Sequence, residues 1–156
     1  MNYNNINKRK NKIMNVLIEN LIKQNDLFFI SEKDNIETLK PRIPDNFMTK
    51  NDYEDNKTKR VCFSTSIDGC LIGLSMNCEN KIFYVYQPIN KYKIYKPNTK
   101  EVPDCEITNE VWITQDVRVK CIGKILCYGS YDNPIIYSYG KNNEAKLYKW
   151  KWRWIN

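Results

Sequence analysis

At 156 residues the chain has room for one domain with an ordinary core and not for two independent ones. Its 25 Lys and Arg against 18 Asp and Glu give a formal charge of +7, which favours nucleic acid or a protein with an acidic face over a basic partner. Histidine is absent, which excludes Ser-His and Cys-His nucleophile pairs and any metal site completed by an imidazole.

Asn, Lys, Ile and Tyr are heavily used and Gly, Pro and Ala are scarce, a bias that tracks AT-rich codons rather than a function. Of the 6 cysteines, Cys62, Cys70, Cys78, Cys105, Cys121 and Cys127, most sit inside apolar runs, so reduced, buried thiols are expected rather than a disulfide scaffold. Cys62, Cys70 and Cys78 are spaced by eight and no C-x-x-C occurs, so no metal site is expected. The start, MNYNNINKRKNK, is too polar for a signal peptide, and no apolar run reaches membrane-spanning length. A cytoplasmic setting without a membrane partner is the expectation.

Residues 1–10 are Asn-rich, basic and without periodicity, and are expected to form a disordered basic arm. From Asn11 to Gln24 the residues Ile13, Met14, Leu17, Ile18, Leu21 and Ile22 recur at three- and four-residue steps, which predicts an amphipathic N-terminal helix. Lys8, Arg9, Lys10 and Lys12 lie at its start, where the macrodipole disfavours cations. They are candidates for contact with nucleic acid or a partner, against the plainer reading of a solubilising arm.

Leu27 to Ser31 (LFFIS) reads as a buried strand, after which Ser31 or Asp34 is expected to cap a short helix through Leu39 that Pro41 stops. Residues 41–59 read as a long surface loop, in which Arg42, between two prolines, either faces a ligand or pairs with Asp45. Arg60 to Phe63 is the next strand. It enters a Ser64-Thr65-Ser66 corner and a helix over Ile67 to Leu74, with Ser66 as N-cap and Gly69 as a weak point in the helix interior.

Lys81 to Gln87 has the aromatic and β-branched content of a core strand, and Tyr92 to Tyr95 suggests a short edge strand. Glu110 to Thr114 and Val117 to Cys127 predict two strands joined at Gln115-Asp116, with a bulge or bend at Gly123. Ile135 to Tyr139 predicts a further strand. At the end, LYKWKWRW puts Trp150, Trp152 and Trp154 on one face and Lys149, Lys151 and Arg153 on the other. Indoles that stack on bases beside cations are a nucleic-acid signal, but period two separates the two sets, so core tryptophans backed by a basic face is the favoured reading. The whole predicts a single α+β domain over residues 11–156: an N-terminal helix, then a mainly antiparallel split sheet.

Three stretches of this order carry a resemblance. LFFISEKDNIETLKPRIP resembles the opening of ADP-ribosyltransferase-like domains, VCFSTSIDGCLIGL is similar to their second motif, and EVWITQDVRVKCIGKI to their third. The resemblance covers roughly a third of the chain, and it rests on order and spacing. It implies the ADP-ribosyltransferase fold and NAD as the cofactor: the first motif grips NAD, the second shapes the nicotinamide pocket, and the acid stabilises the cationic ribose as nicotinamide leaves. Carried over by position, Ser64, Thr65 and Ser66 line the pocket, Glu110 is the catalytic acid, and Arg42 or Arg60 reaches the phosphates. Phe29 takes the place of the family's His or Arg, and Thr108 stands where a Glu or Gln is common. The expected protein is therefore a degenerate ADP-ribosyltransferase-like domain acting on a macromolecular partner. The alternative is a non-catalytic accessory protein of a phage or mobile element that blocks a host factor, such as a defence nuclease in the anti-CRISPR manner, through its basic surface.

Overall fold

The computed structural model describes residues 26–156. The N-terminal helix expected at Asn11 to Gln24, and the basic arm with Lys8, Arg9, Lys10 and Lys12, lie outside the described residues. What is described is an α+β architecture, mostly antiparallel sheet with a few short helices.

The largest sheet is built on β1 (Phe29–Ser31), β4 (Lys81–Pro88) and β6 (Val117–Ser130), side by side in that order. On the far edge of β6, β2 (Thr38–Leu39) pairs with its start and β9 (Trp150–Ile155) with its later half, all antiparallel. A second sheet joins β3 (Val61–Ser64) to β5 (Glu110–Ile113), and a third is the hairpin of β7 (Ile135–Tyr139) and β8 (Asn143–Leu147). The helices are α1 (Phe47–Lys50), α2 (Ile67–Gly73) and α3 (Cys105–Thr108). Backbone bridges Phe28 to Ser64 and Tyr95 to Trp112 continue the pairing across the split. The Tyr95 segment, β5, β3, β1, β4 and β6 therefore follow one another as neighbours.

Gly123 explains how one long strand serves two cores. Its φ of +153° coincides with a register shift opposite Val85 and Tyr86, the bend its sequence position predicts. Before the bend Val117 and Val119 join Leu27, Phe63, Tyr86, Val111 and Ile113 in one core. After it Ile125 and Cys127 join Ile30, Leu71, Phe83 and Val85 in a second, capped by α2 and by Trp150 and Trp152. Of the three tryptophans of the C-terminal strand, Trp150 and Trp152 pack half-buried against this core, whereas Trp154 is 48% exposed.

Several local expectations change. No helix forms between Ser31 and Leu39, because tertiary partners take its backbone groups. The Tyr86 hydroxyl donates to the Lys33 carbonyl at 2.8 Å and accepts from the Ile36 amide at 3.4 Å, and Thr38 and Leu39 pair with Arg118 and Val117. The loop at 41–59 contains α1, started by a reciprocal cap in which the Thr49 amide donates to Asn46 Oδ1 at 2.9 Å. The Tyr92 to Tyr95 strand reduces to the single bridge at Tyr95. All six cysteines are free thiols, and among the described residues no helix is long and apolar enough to cross a membrane.

Candidate functional site

The Ser64-Thr65-Ser66 corner ends β3 and begins α2, and β5 lies alongside with Glu110 directly opposite Ser64. Sequence positions 64–66 and 110 are therefore brought together. The side chains of Ser64, Ser66 and Glu110, however, turn to structural partners. The Ser64 hydroxyl, 3% exposed, donates to the Thr108 carbonyl at 2.7 Å and accepts from the Ser66 amide at 3.1 Å. Ser66 caps α2, its Oγ accepting from the Gly69 amide at 2.9 Å, as its position in the sequence predicts. The Thr65 amide donates to the Asn109 carbonyl at 3.3 Å. Phe29, at the place of the family's His or Arg, packs edge-on against Phe63 and beside Tyr86. Thr108, where an acid is common, turns its hydroxyl onto the Asp104 carbonyl at 3.1 Å.

Glu110 leans along β5 and accepts from the Trp112 indole at 2.6 Å. Arg60 sits over the same indole, its guanidinium carbon 4.1 Å from the ring centroid. Arg60 is fully buried and engaged with the turn before it: Nη2 pairs with Glu54 at 2.5 Å, and Nη1 donates to the Asp55 and Thr58 carbonyls at 2.9 and 3.0 Å. Its Nε has no hydrogen-bond partner among the described residues. Arg42 shares a two-way backbone bridge with Arg60 but leaves its own side chain exposed, and Asp45 pairs with Lys50 at 2.7 Å. The two arginines expected to reach phosphates thus part company at the side chain.

Near Arg60 and Glu110 lie three further carboxylates, Glu54, Asp55 and Asp104, that the sequence did not single out. Burial pushes Glu54 up to about 7, with the Glu110 charge adding to it and Arg60 opposing. Burial and then Glu110 push Asp104 up to about 6. The Cys62 thiol, between Glu110 and Arg60, is raised by burial first and the Glu110 charge second. Arg60 pairs with Glu54 and Asp55, while the Glu110 and Asp104 charges both act on Glu54, so within this group Glu54 and Asp104 hold their protons toward neutral pH. Nothing local in the sequence marks this cluster. Glu54 lies in a turn and Asp104 at the start of α3, far apart in the sequence, and the Asp104 charge acts on Glu54 only in the folded chain.

Of the C-terminal cations, Lys149 and Arg153 are exposed, while Lys151 is half-buried with Nζ 5.2 Å from the Tyr131 ring centroid. Among the described residues no three metal-ligating side chains are placed to hold an ion. A cavity at the far end of α2 includes none of Ser64, Thr65, Ser66 or Glu110. No protein family, curated protein or solved structure matches the chain.

Proposed function

We propose that this chain is a binding protein on an ADP-ribosyltransferase-like frame, whose nucleotide pocket has become part of the scaffold. It acts by occupying a macromolecular partner, a host factor such as a defence nuclease, through its basic surface. The observation that carries the reading is the engagement of the corner. Ser64 and Ser66 use their hydroxyls within the fold, Phe29 is packed among core rings, and the Arg60 guanidinium lies under the 54–58 turn. These residues do not fit NAD, which needs free donors for its ribose and phosphates. The frame itself is supported by the adjacency of β1, β3 and β5, the strands carrying the three motif-like stretches.

A second reading, an active transferase, is favoured by one feature: Glu110 stands directly opposite Ser64 in the ladder. A fixed carboxylate there would stabilise positive charge developing on a ribose. One experiment separates the two. Thermal melting with NAD at millimolar concentration, together with nicotinamide release, is expected to give no shift and no product. Release by the wild type that disappears in Glu110→Gln would replace the binding reading with the catalytic one.

A further inference from the structure

β9 (Trp150–Ile155, WKWRWI) lies at the edge of the main sheet: β6 pairs with one of its sides, and among the described residues no strand pairs with the other. Backbone groups in an antiparallel strand alternate between its two sides. The Tyr131 amide donates to the Lys149 carbonyl at 2.9 Å, so the backbone of Lys149 turns toward β6, and by alternation so does that of Lys151 and Arg153. The amides and carbonyls of Trp150, Trp152 and Trp154 turn to the open side. The register shift in this pairing falls between Cys127 and Gly129 on β6, so the alternation runs unbroken along β9.

The edge is also held in place. Trp150 and Trp152 pack on the second core, and the Trp152 indole donates to Asp68 at 2.9 Å. The Trp154 ring lies so close over Gly123 that a Cβ there would meet it at 2.9 Å. Lys151 is stacked on Tyr131, its Nζ 5.2 Å from the ring centroid. A strand fixed in this way loses little freedom when another joins it.

We propose that this edge takes up an extended strand of a partner protein, acidic at alternate positions, which adds to the sheet beside β9. The inference rests on the binding reading above and names what the basic surface holds. An open row of amides and carbonyls is a template for one more strand, and no proline, glycine or bulge in β9 interrupts it. Side-chain chemistry selects the strand. Lys151 and Arg153 project to one side of the ladder and the tryptophans to the other. Carboxylates at alternate positions complete opposite-charge pairs with the two cations, and the intervening positions lie beside indoles and suit apolar side chains. The same cations disfavour a second copy of this chain. A twofold antiparallel pairing centred on Trp152 sets Lys151 of one copy across from Arg153 of the other, and a centre at Lys151 or Arg153 sets that cation across from itself. Nucleic acid fits the edge less well, because bases stack on open ring faces and Trp150 and Trp152 are packed on the core.

Calorimetric titration of the full chain with a short capped peptide of alternating valine and glutamate tests the assignment, with amide hydrogen exchange read at saturation. The peptide is expected to bind with a Kd below about 1 mM, and exchange at the Trp152 and Trp154 amides to slow at least about tenfold. The same peptide with every amide nitrogen methylated keeps its charges and cannot donate to an edge; it is expected to bind at least about tenfold more weakly, as is the parent peptide to Arg153→Glu. Equal binding of the methylated peptide, or unchanged exchange at both amides, overturns strand addition while leaving a basic contact surface. No saturable binding of the parent peptide up to about 5 mM overturns it too, and retention of the chain on polyglutamate then decides separately whether the basic surface binds an acidic polymer. Slowing of the same two amides by single-stranded RNA in place of the peptide, or by self-association that the peptide does not reverse, puts another occupant on the edge and overturns the assignment.

Discussion

A methyl group added at Gly69 would fall within contact distance of the Thr108 carbonyl oxygen and the Ser64 hydroxyl. Helix propensity alone predicts that Gly69→Ala stabilises the protein by roughly 1 kcal/mol. The corner predicts the opposite sign. Thr108 contributes a backbone atom that cannot swing aside, and the Ser64 hydroxyl is tied to that atom at 2.7 Å. The substitution forces α2 and α3 apart, and overpacking of this kind costs about 1–3 kcal/mol. Urea denaturation measures it: the variant is expected to unfold at lower denaturant than the wild type. An unchanged or higher midpoint would mean that the serine corner is loosely packed and its hydroxyls are available to a ligand.

The cluster of Glu54, Asp104, Glu110 and Arg60 belongs to the element scale, since the 54–58 turn, β3, β5 and α3 must dock for it to exist. Its two raised carboxyls fix the direction of a pH effect. Glu54 goes from an ordinary 4.5 to about 7 and Asp104 from 3.8 to about 6. Between those limits the folded chain binds protons that the unfolded chain has released, so the stability from these groups is full below the ordinary carboxylate range and lost as pH rises through 6 and 7. The melting temperature is expected to fall between pH 5 and pH 8. Glu54→Gln keeps an acceptor for Arg60 but has no proton to lose, so it is expected to flatten the slope. A melting temperature that climbs over the same interval would mean that the cluster does not form.

Elements differed in how far their own residues determine them. The cores of β3, β4, β5 and β6, the Ser66 cap and the Gly123 bend follow from local alternation and single-residue geometry. β2, α3 and β8 do not. Thr38–Leu39 is strand only because β6 offers its edge, and Asn143–Leu147 (NEAKL) lacks the usual β-branched content and is held by its partner β7. The candidate site follows the same division: Ser64 and Glu110 could be paired from motif order, but the uses of their side chains depend on Thr108 and Trp112, which only folding brings to them.

On the scale of the whole molecule, gathering acidic side chains around buried Arg60 makes the rest of the surface more basic than the net charge of +7 suggests. The outer rows of the main sheet mix that charge with apolar surface. Ile82, Leu126 and Arg153 lie side by side, and Tyr84, Lys124 and Ile155 form the next row. Ile82 is 45% exposed and Tyr128 52%, while Lys149 and Arg153 stand free of the core at the same edge. A face of this composition suits an acidic or phosphate-bearing macromolecule, with the charges setting the rate of encounter and the apolar rows the duration of contact. The double variant Lys149→Glu with Arg153→Glu tests it without disturbing the stacked Lys151. On columns of single-stranded RNA and of polyglutamate, the wild type is expected to be retained at low salt on at least one and released as salt rises. The double variant is expected to elute at markedly lower salt, and Glu110→Gln with the wild type, because that carboxylate faces inward onto Trp112. Co-elution of the double variant with the wild type would place the contact surface away from the C-terminal strand and remove the basis for binding through this face.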